Sequence, residues 1–554
     1  MRRWNGWGDD AIEVGLPAGA RALLERELGP GSPFPDATFE AALANVPRSR
    51  VRGHPLVDDG PADRLRHARG QSLPDWIALR SGRLGWVPDG VAHPSSDEDV
   101  RGLLRWAAET GTALIAYGGG TSVAGHVTRP TDSGPTVTVA MDRLGTVLDI
   151  DPTTGLATFG AGIAGPALEA ALEGHGATLG HFPQSFELST LGGWIATRSS
   201  GQQSRGYGRI EDLFAGGHVE SPIGPLDLPA FPASAAGPDL RQVILGSEGR
   251  LGILTSATVR IAPLPERETW PAYALPDLER GLAAVRELAQ ARLPLSMIRL
   301  QTAAETRTTL AMAGRPRTIA LLTRYLRWRG AGPERCLLLL ACTGRRSLVK
   351  AAGREVGAIV GRHGGVGLPG SFGHAWVEQR FRSAYLRNAL WDAGYAVDTV
   401  ETAAPWPAVP GLLATVAPAL RRGLATDGER VHAFSHLSHV YPSGSSLYTT
   451  YLFRLSADPD RTLDRWTRLK AAASAAIVAG GGTISHQHGV GRDHAPYLTA
   501  EKGAVGMTAL GALAATFDPA GVLNPGALLG EDHPVSAVDD RLAARNARTR
   551  RTAR

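Results

Sequence analysis

Apolar residues recur in short runs between glycine turns from residue 86 to about residue 265, and this spacing predicts alternating strands and helices. Positions 100, 103, 104 and 107 follow helical periodicity after a capping box formed by Ser95 and Glu98, and Gly111 is expected to end that helix. The apolar run 113–117 predicts a strand that leads directly into a glycine-rich loop. Further strands are predicted at 137–140, 147–150, 157–160 and 251–261, so the region is interpreted as an α/β domain.

The rest of the chain has a less regular pattern, and the changes in pattern divide it into segments. Residues 1–82 contain helical stretches such as 11–28 and no obvious chemistry, whereas 266–485 mix helical and extended patterns. Residues 486–535 form a last ordered segment, and a polar stretch, 536–554, follows it. The longest apolar run, 336–342, is well short of the ~20 residues that a membrane-spanning helix needs. No strongly amphipathic basic helix stands out, although contact with a membrane surface stays open.

The composition of the 554-residue chain is that of a globular protein with a large core, since 43% of its residues are hydrophobic. The 58 basic residues, nearly all of them arginines, exceed the 53 acidic ones and give a net charge of +5. Six arginines and no acidic residue fall in 541–554, so the excess charge belongs to a tail that we expect to be disordered. The two cysteines are too few to stabilise so long a chain by disulfides, and they fit a reducing, cytoplasmic location.

Three glycine- and hydroxyl-rich loops fall within the predicted α/β domain. The first, AYGGGTSVAGH at 116–126, places three glycines before Thr121 and Ser122, so that backbone N–H groups and hydroxyls can approach a phosphate. Taken alone, this loop could equally be a tight turn. The second and third, QSFELSTLGGWIATRSSG at 184–201 and GSEGRLGILTSATVRI at 246–261, repeat the composition. Together they predict a long phosphate-bearing ligand held mainly by backbone groups, and a nucleotidase P-loop is excluded because no lysine follows a glycine.

A formal match to the dinucleotide-binding fingerprint occurs at GAGIAG, residues 160–165. The strand expected before it is short and weakly apolar, and Pro166 suits an ordinary turn into a helix. We therefore expect a strand–turn–helix connection at this position rather than a nicotinamide site.

A series of short motifs follows in order along the chain, namely GGGTS, LSTLGGWIATRSSG, YGRIEDL, GSEGRLGIL, IRL, VETAAPW and ISHQHGVG. In this order they resemble the vanillyl-alcohol oxidase (p-cresol methylhydroxylase) superfamily of FAD-linked oxidases. Within that superfamily the sequence is most similar to the alkyldihydroxyacetonephosphate synthases, also called alkylglycerone-phosphate synthases, and their bacterial homologues. The resemblance extends from RWNGWG near the start to DPAGVLNPG near the end, which is nearly the whole chain.

The resemblance implies an α+β fold, with a two-subdomain α/β FAD-binding domain of the p-cresol methylhydroxylase type at 83–265 and an α+β cap domain at 266–485. Residues 486–535 are expected to return to the flavin. Some members link FAD covalently, but the synthase-like members do not, and we expect non-covalent FAD here. The residues that the resemblance assigns to the cofactor are Tyr117, Gly118, Gly119, Gly120, Thr121, Ser122, Gln184, Ser189, Thr190, Gly192, Gly193, Thr197, Ser199, Ser200, Glu248, Gly249, Gly252 and Ile253.

The chemistry implied by the resemblance exchanges the acyl group of acyl-dihydroxyacetone phosphate for a fatty alcohol, without net oxidation. A tyrosine removes a proton from the carbon that bears the acyloxy group, the fatty acid leaves, and the carbon is held on flavin N5 until the alcohol displaces it. Tyr448 matches this base, and a phenol needs nearby cations to act as one at neutral pH. Arg299, His486 and His488 match further catalytic positions, while Arg387 matches the position that holds the substrate phosphate.

The histidine motifs leave alternatives open. ISHQHGVGRDH places Gln487 between His486 and His488, where the synthases have a third histidine, and glutamine cannot take up a proton. This difference favours an alternative function, that of an FAD-dependent oxidase or dehydrogenase of an alcohol or 2-hydroxy acid. His436 and His439 have H-x-x-H spacing without a nearby carboxylate in sequence, so we expect His439 to face the substrate rather than a metal. A non-enzymatic FAD-binding scaffold is disfavoured because the catalytic-type positions are retained.

These features predict an FAD enzyme that acts on a phosphorylated or carboxylated small molecule, in the cytoplasm or peripheral to a membrane. No metal and no nucleic-acid partner are expected. A homodimer and a peripheral contact with membrane lipid stay open.

Overall fold

The computed structural model describes residues 1–34, 36–51, 53–313 and 316–530 of the chain. The predicted tail at 536–554 and the end of the predicted last segment, 531–535, lie outside the described residues. The helices are α1 Ala18–Leu28, α2 Phe39–Ala44, α3 Pro61–Arg66, α4 Leu73–Ser81, α5 Asp97–Thr110, α6 Gly165–Glu173, α7 Leu191–Thr197, α8 Ser204–Tyr207, α9 Ile210–Leu213, α10 Arg241–Ile244, α11 Leu278–Gln290, α12 Ala303–Met312, α13 Pro316–Trp328, α14 Arg346–Arg362, α15 Ser371–Gln379, α16 Leu386–Asp392, α17 Val409–Arg422, α18 Pro459–Ala479 and α19 Ala495–Phe517. The strands are β1 Val57–Asp58, β2 Gly90–Ala92, β3 Ala113–Tyr117, β4 Thr136–Ala140, β5 Val147–Asp151, β6 Leu156–Gly160, β7 Ala177–Thr178, β8 Phe214–Ser221, β9 Gly224–Leu228, β10 Ile253–Arg260, β11 Ala262–Pro263, β12 Arg267–Thr269, β13 Ala272–Leu275, β14 Leu295–Gln301, β15 Cys336–Gly344, β16 Val366–Gly367, β17 Tyr395–Pro405, β18 His432–Val440 and β19 Gly444–Arg454.

The first sheet of the α/β region has the strand order β1-β2-β4-β3, in which β2, β4 and β3 run parallel and β1 is antiparallel to β2. Helix α5 packs its apolar side against this sheet. Its N-cap is Ser96 rather than the predicted Ser95, because the Ser96 side chain accepts from the Asp99 N–H, whereas Gly111 ends the helix as predicted. Strand β1 comes from the segment 1–82, which the sequence pattern assigned to helices alone.

The second sheet has the order β5-β6-β10-β8-β9 and is antiparallel throughout. Helices α6 and α7 pack on it around Phe159, Trp194 and Val259. The GAGIAG sequence connects β6 to α6, which is the strand–turn–helix connection that the sequence predicts. Because β6 has antiparallel neighbours on both sides, it is not the parallel strand of a dinucleotide-binding unit.

The cap contains an eight-stranded sheet, in which β16-β13-β15-β14-β18-β19-β17 are consecutive neighbours and β12 pairs with β15. Side chains of a strand point alternately to the two faces of a sheet. On β18 and β19 the odd positions, such as Leu437 and Tyr451, pack into cores formed with α11, α14, α17 and α18. The even positions, such as His436 and Tyr448, line a cavity on the opposite face. This alternation separates the core of the cap from its functional surface.

The first 28 residues lie against the cap. The Trp7 N–H donates to Asn388 Oδ1 at 3.1 Å, and Asn388 Nδ2 donates to the Trp7 carbonyl at 3.0 Å. Leu24 and Leu28 of α1 pack on Tyr395 of β17. These residues therefore pack on the cap, and Arg2 also reaches the first glycine-rich loop, where its Nη2 donates to the Gly120 carbonyl at 3.5 Å.

The last described segment returns to the α/β region. Asn524 Nδ2 donates to the backbone carbonyls of His126 and Glu248, at 3.1 and 2.9 Å. This contact brings the residues after α19 next to two of the glycine-rich loops. Within the described ranges, every helix is too short or too polar to cross a membrane.

Candidate active site

A cavity of about 580 Å³ lies between the cap sheet and the α/β region. Three parts of the fold form its walls. The glycine-rich loops after β3 and before α7 line one part, the cavity face of the cap sheet supplies a polar centre, and α1, α12 and α16 contribute an apolar arm. One continuous space thus joins three chemically different environments.

The loop after β3 packs so closely against the loop before α7 that neither has room for side chains at the contact. A Cβ on Gly119 would lie 1.8 Å from the Leu188 carbonyl oxygen, and one on Gly118 would lie 2.2 Å from Thr190 Oγ1. Thr190 caps α7, since its side chain accepts from the Gly193 N–H. The cavity wall at this contact is therefore made of backbone and hydroxyl groups, which suit a pyrophosphate.

Nearly all of the residues predicted to bind FAD line this cavity. They are Gly118, Gly119, Gly120, Thr121, Ser122, Gln184, Ser189, Thr190, Gly192, Gly193, Thr197, Ser199, Ser200, Glu248, Gly249, Gly252 and Ile253. Tyr117 differs, because its buried ring lies behind the loop and its hydroxyl donates to the Arg69 carbonyl at 3.0 Å. The Tyr117 side chain thus supports the loop from outside the cavity instead of reaching a ligand.

Glu248 lines the cavity, but its carboxylate is already bound by the last segment. Oε1 accepts from the Val490 N–H at 2.5 Å, and Oε2 accepts from the Gly491 N–H at 2.8 Å. The residue has a φ of 53°, in the left-handed region that disfavours side chains. We interpret Glu248 as the residue that fastens the last segment to the third glycine-rich loop, rather than as a direct ligand of the cofactor.

Three cap strands place Glu401, Tyr448 and His436 side by side, because Tyr448 is the register partner of both others. The Tyr448 ring stacks on the His436 ring, with centroids 5.1 Å apart and planes at 20°. Its edge contacts the His488 ring at 5.8 Å and 79°. Tyr448 and Tyr451 face opposite sides of β19, as predicted, since Tyr451 is in the core.

Burial raises the pKa of Tyr448 to about 12. The nearby carboxylates of Glu401 and Asp398 also raise this pKa, while Arg299 lowers it. The sequence predicts that cations make the phenolate available, and the structure supplies one such cation. Burial outweighs that cation, so the phenolate is a minor species at neutral pH.

Arg299 extends from β14 into a buried ion cluster with Glu305 and His436. Its Nη2 donates to Glu305 Oε1 at 2.7 Å, and Glu305 Oε2 lies 2.9 Å from His436 Nδ1. Burial raises the pKa of Glu305, but His436 and Arg299 outweigh burial and hold it below its ordinary value. Burial followed by Arg299 lowers the pKa of His436, so this ring is neutral at pH 7. Glu305 was not predicted, because T-x-x-E at 302–305 is the ordinary signal of a helix start.

Arg387 of α16 lines the cavity with its guanidinium carbon 4.2 Å from the centre of the Trp76 ring. Its Nη1 donates to the Gln71 carbonyl at 2.5 Å, whereas Nε and Nη2 have no hydrogen-bond partner among the described residues. Burial lowers the pKa of Arg387 to about 10, although Asp398 and Asp75 act in the opposite direction. A buried guanidinium with two unused donors has the chemistry to bind an anion.

The histidine motif is held by Glu401. The backbone N–H groups of Gln487 and His488 both donate to Glu401 Oε1 at 2.7 Å. His488 Nδ1 lies 3.4 Å from the same oxygen, and burial lowers the pKa of His488, which leaves the ring neutral. The Gln487 side chain also lines the cavity, and its Oε1 has no hydrogen-bond partner within the described part of the chain.

His486 does not line this cavity and lies on the other side of the same segment. Its Nε2 is 2.6 Å from Arg209 Nη1 and 2.7 Å from Tyr441 Oη, and Arg209 Nη2 donates to its carbonyl at 2.9 Å. Burial, followed by His439 and Arg209, lowers the pKa of His486 well below its ordinary value. Because its Nε2 faces two donors, His486 is better placed to position the segment than to act as a base. No role was predicted for Arg209, although it lies in the YGRIEDL motif, which was the one signal that could have found it.

His439 lines the cavity at a bulge of β18, where its φ is 41°. Its Nδ1 lies 3.0 Å from Ser200 Oγ and 3.1 Å from Ser204 Oγ, and burial lowers its pKa to about 3. His436 contacts Glu305 instead, so the two histidines of the H-x-x-H sequence have different partners. Among the described residues, no group of three or more His, Cys, Asp or Glu side chains is arranged to hold a metal ion.

The apolar arm of the cavity was not predicted. Its walls include Leu16, Leu23 and Leu24 near or in α1, Met312 in α12, Leu390 in α16, Phe434 in β18 and Leu452 in β19. Helix α1 crosses α12 in direct contact, since a Cβ on Gly19 would lie 2.4 Å from the Ala311 carbonyl oxygen. No chemistry was predicted for residues 1–82, because the apolar side of α1 has the pattern of any helix face that packs on a core.

Two family models match the chain. Residues 88–224 match a model described as an FAD binding domain, and residues 264–528 match one described as FAD linked oxidases, C-terminal domain. The predicted FAD cofactor is thereby confirmed at the level of the domain.

Solved structures confirm the predicted fold. An alkyldihydroxyacetonephosphate synthase superposes with a TM-score of 0.79 at 26% identity, covering 94% of this chain and 98% of that one. A p-cresol methylhydroxylase superposes with a TM-score of 0.60 at 14% identity, covering 81% and 90% of the two chains. The second likeness concerns the fold alone.

Relatives in sequence agree with these structures. The chain is 30% identical to an alkyldihydroxyacetonephosphate synthase of Dictyostelium discoideum, with 95% of this chain and 93% of that one covered. It is 31% identical to the synthase of the same name from Caenorhabditis elegans, with 83% and 79% covered. The resemblance seen in the motifs is therefore confirmed, and the chain belongs to the alkyldihydroxyacetonephosphate synthase family.

Proposed function

We propose that this protein is an alkyldihydroxyacetonephosphate synthase, which exchanges the acyl group of acyl-dihydroxyacetone phosphate for a fatty alcohol in ether-lipid synthesis. The observation that carries the proposal is the single cavity that joins a flavin groove, an arginine with unused donors and an apolar arm. The substrate has the same three parts, because its reacting carbon lies between a phosphate and a long hydrocarbon chain.

The glycine-rich loops would hold FAD without a covalent bond. Both cysteines are buried in the core of the cap and do not line the cavity. His126, the last residue of the first loop, has its Nδ1 2.5 Å from Ser122 Oγ and its Nε2 3.1 Å from Glu248 Oε1. These partners disfavour an attachment through His126. The unpaired state of both cysteines also supports the predicted cytoplasmic location.

Arg387 would hold the substrate phosphate. Its Nε and Nη2 are the two donors of one guanidinium edge, and together they match two oxygens of a phosphate. The stacking of the guanidinium on Trp76 fixes the plane of this edge. A phosphate bound there places the reacting part of the substrate within the same chamber as Tyr448.

Tyr448 would remove the proton from the carbon that bears the acyloxy group, whose fatty acid then leaves as a carboxylate. FAD held by the glycine-rich loops would supply an electron-accepting ring next to this carbon. His488 would accept the hydroxyl proton of the incoming alcohol, because it is neutral and its Nδ1 faces Glu401, which leaves Nε2 as the acceptor. Acyl-dihydroxyacetone phosphate and alcohol thus give the ether and a fatty acid, with no net change in oxidation state.

The proposal is tested with FAD-loaded protein, acyl-dihydroxyacetone phosphate and hexadecanol in the absence of oxygen. We expect ether and free fatty acid in equal amounts, with the flavin spectrum unchanged at the end. Tyr448→Phe should abolish turnover while FAD stays bound, and Tyr273→Phe on β13, outside the cavity, should not affect it. No ether from the loaded protein, or full turnover by Tyr448→Phe, would contradict the proposal.

The alternative function, an FAD-dependent oxidase or dehydrogenase, is favoured by one observation. Gln487 stands between the two histidines, and neutral His488 is able to take a hydroxyl proton from an alcohol. The same preparation distinguishes the two functions. Bleaching of the flavin by simple alcohols or 2-hydroxy acids, without ether formation, would identify the oxidoreductase.

A further inference from the structure

The segment before α1 contributes one side chain with an unused donor to the cavity. Trp7 is 6% exposed and lines the same cavity as Arg387. Its indole Nε1 is buried and has no hydrogen-bond partner among the described residues. An indole N–H can only donate, and a buried one usually contacts an acceptor. Trp7 therefore carries a donor that the contacts within the described part of the fold leave unused.

Trp7 and Arg387 are connected through two shared neighbours. The Trp7 backbone exchanges two hydrogen bonds with the Asn388 side chain, and Asn388 directly follows Arg387 in α16. Gln71 Nε2 donates to the carbonyl of Gly6 at 3.3 Å, while the Gln71 carbonyl accepts from Arg387 Nη1. These contacts hold Trp7 and Arg387 in the same part of the cavity wall.

The side-chain oxygens of these two neighbours are already used as acceptors. Gln71 Oε1 accepts from Trp76 Nε1 at 2.8 Å. Asn388 Oδ1 accepts from the backbone N–H of Trp7 at 3.1 Å. Because both oxygens are occupied, an acceptor for the indole N–H has to come from a molecule that enters the cavity.

We propose that the Trp7 indole N–H is a third donor for the substrate anion, and that it makes the site select a phosphate over a carboxylate. The inference rests on the proposed role of Arg387 in binding that anion. A phosphate monoester has three terminal oxygens. Nε and Nη2 of Arg387 bind two of them, and Trp7 Nε1 binds the third. A carboxylate has two oxygens, which Arg387 alone can occupy, so it leaves the indole N–H without an acceptor.

This difference bears on the two functions that the site could serve. The synthase reaction needs a phosphorylated substrate, whereas a 2-hydroxy acid oxidase or dehydrogenase needs a carboxylated one. A carboxylate complex would keep a buried donor unsatisfied, and an unsatisfied buried donor is unfavourable. Trp7 therefore favours phosphate monoesters and at the same time disfavours 2-hydroxy acids.

The test measures the Kd of the FAD-loaded full chain for dihydroxyacetone phosphate and for glycerate by titration calorimetry, without acyl donor or alcohol. Trp7→Phe keeps an aromatic ring and removes the donor. It should weaken binding of dihydroxyacetone phosphate by about tenfold or more, as expected for a hydrogen bond to a charged group, and should not weaken binding of glycerate. The ratio of the two Kd values is compared between variants, so the different charges of the two ligands do not affect the comparison.

Trp391→Phe is the matched control. Trp391 is also buried, and its Nε1 also has no hydrogen-bond partner within the described ranges, but it does not line the cavity. This variant should bind both ligands as the unmodified protein does. If Trp7→Phe does not fold or loses FAD, the N–H is removed instead by placing benzothienylalanine at position 7. This analogue keeps the shape of the indole with sulfur in place of the N–H, and it should show the same loss of phosphate binding.

Two results would overturn the proposal. In the first, the protein altered at Trp7 binds dihydroxyacetone phosphate as tightly as Trp391→Phe does. In the second, both ligands lose affinity equally, because an equal loss would mean that Trp7 only positions Arg387. Binding is measured without turnover, so a failure of the proposed function has a different signature. A preference for phosphate that depends on Trp7, in a protein that forms no ether, would reject the synthase and keep the phosphate site.

Discussion

The buried charge of Arg387 is expected to lower the stability of the ligand-free protein, although the same charge is proposed to bind an anion. The substitution Arg387→Met separates these two effects. Lowering the pKa of this guanidinium to about 10 corresponds to at most about 3 kcal/mol of unfavourable free energy for the buried cation. Its contacts with the Trp76 ring and the Gln71 carbonyl offset about 2 kcal/mol of that. Methionine keeps the unbranched apolar stem and removes the charge. The free energy of unfolding should therefore stay unchanged or rise by about 1 kcal/mol.

The direction of the pKa shift of Arg387 determines the pH at which its effect on the free energy of unfolding is measured. The pKa of Arg387 is lower in the folded state than in the unfolded state, so the folded protein is destabilised while the group is protonated. The destabilisation fades only as the pH rises above about 10, where the folded protein releases the proton first. Urea unfolding at pH 7 measures the effect at its full size.

Arg465 provides the matched control, because it is a buried arginine whose two terminal nitrogens both have hydrogen-bond partners. Its Nη1 donates to the Arg454 carbonyl at 2.8 Å, and its Nη2 donates to Glu429 Oε1 at 2.8 Å. Arg465→Met removes both hydrogen bonds and leaves Glu429 with Arg454 as its remaining arginine partner, and it should lower the free energy of unfolding by about 3 kcal/mol. The two methionine variants are thus expected to differ by several kcal/mol although both remove a buried arginine.

Addition of dihydroxyacetone phosphate completes the test. A ligand at one hundred times its Kd should raise the free energy of unfolding of the unmodified protein by about 2.7 kcal/mol. Arg387→Met should gain nothing from the same addition, whereas Arg465→Met should gain the full amount. The reasoning is refuted if Arg387→Met is destabilised as strongly as Arg465→Met, or if the phosphate still stabilises it.

Three further outcomes are expected. Gly119→Ala should give a colourless protein, because its Cβ would lie 1.8 Å from the Leu188 carbonyl oxygen, while Gly411→Ala in open space should keep its FAD absorbance. With the pKa of Tyr448 at about 12, kcat/KM should rise about tenfold per pH unit through the neutral range, and a flat profile would remove Tyr448 as the base. Glu248→Ala removes the acceptor of two backbone N–H groups and should lower the free energy of unfolding by about 3 kcal/mol. A decrease of less than about 1 kcal/mol in urea unfolding would contradict the role of Glu248 in holding the last segment.

The parts of the structure that were predicted correctly are those with a local cause. The end of α5 at Gly111 and the strand before the first glycine-rich loop follow from short-range periodicity and from the backbone freedom of glycine. The opposite orientation of Tyr448 and Tyr451 follows from the two-residue period of a strand. The family resemblance that the motifs carry was sufficient to group the three glycine-rich loops, which line one cavity.

The features that were missed depend on contacts between distant parts of the chain. The apolar arm exists only because α1 crosses α12, and the roles of Arg209 and Glu305 depend on partners that folding brings to them. The exposure of Leu321 and Trp328 on α13 was missed for a different reason. Apolar residues occupy two sides of this helix, which is the pattern of a buried helix, although these two side chains face solvent.

The residues that line the cavity are spread over nearly the whole chain, from Trp7 to Asn524. The hydrogen bond from Trp7 to Asn388 joins positions 381 residues apart, and that from Asn524 to His126 joins positions 398 apart. Contacts of such long sequence separation form late, after the local elements and the separate sheets. We therefore expect the flavin to bind to a chain whose folding is nearly finished, and bound cofactor to oppose unfolding by mass action. The yellow colour of the protein then reports on the integrity of the whole fold, and the supply of FAD helps to set how much folded protein is present.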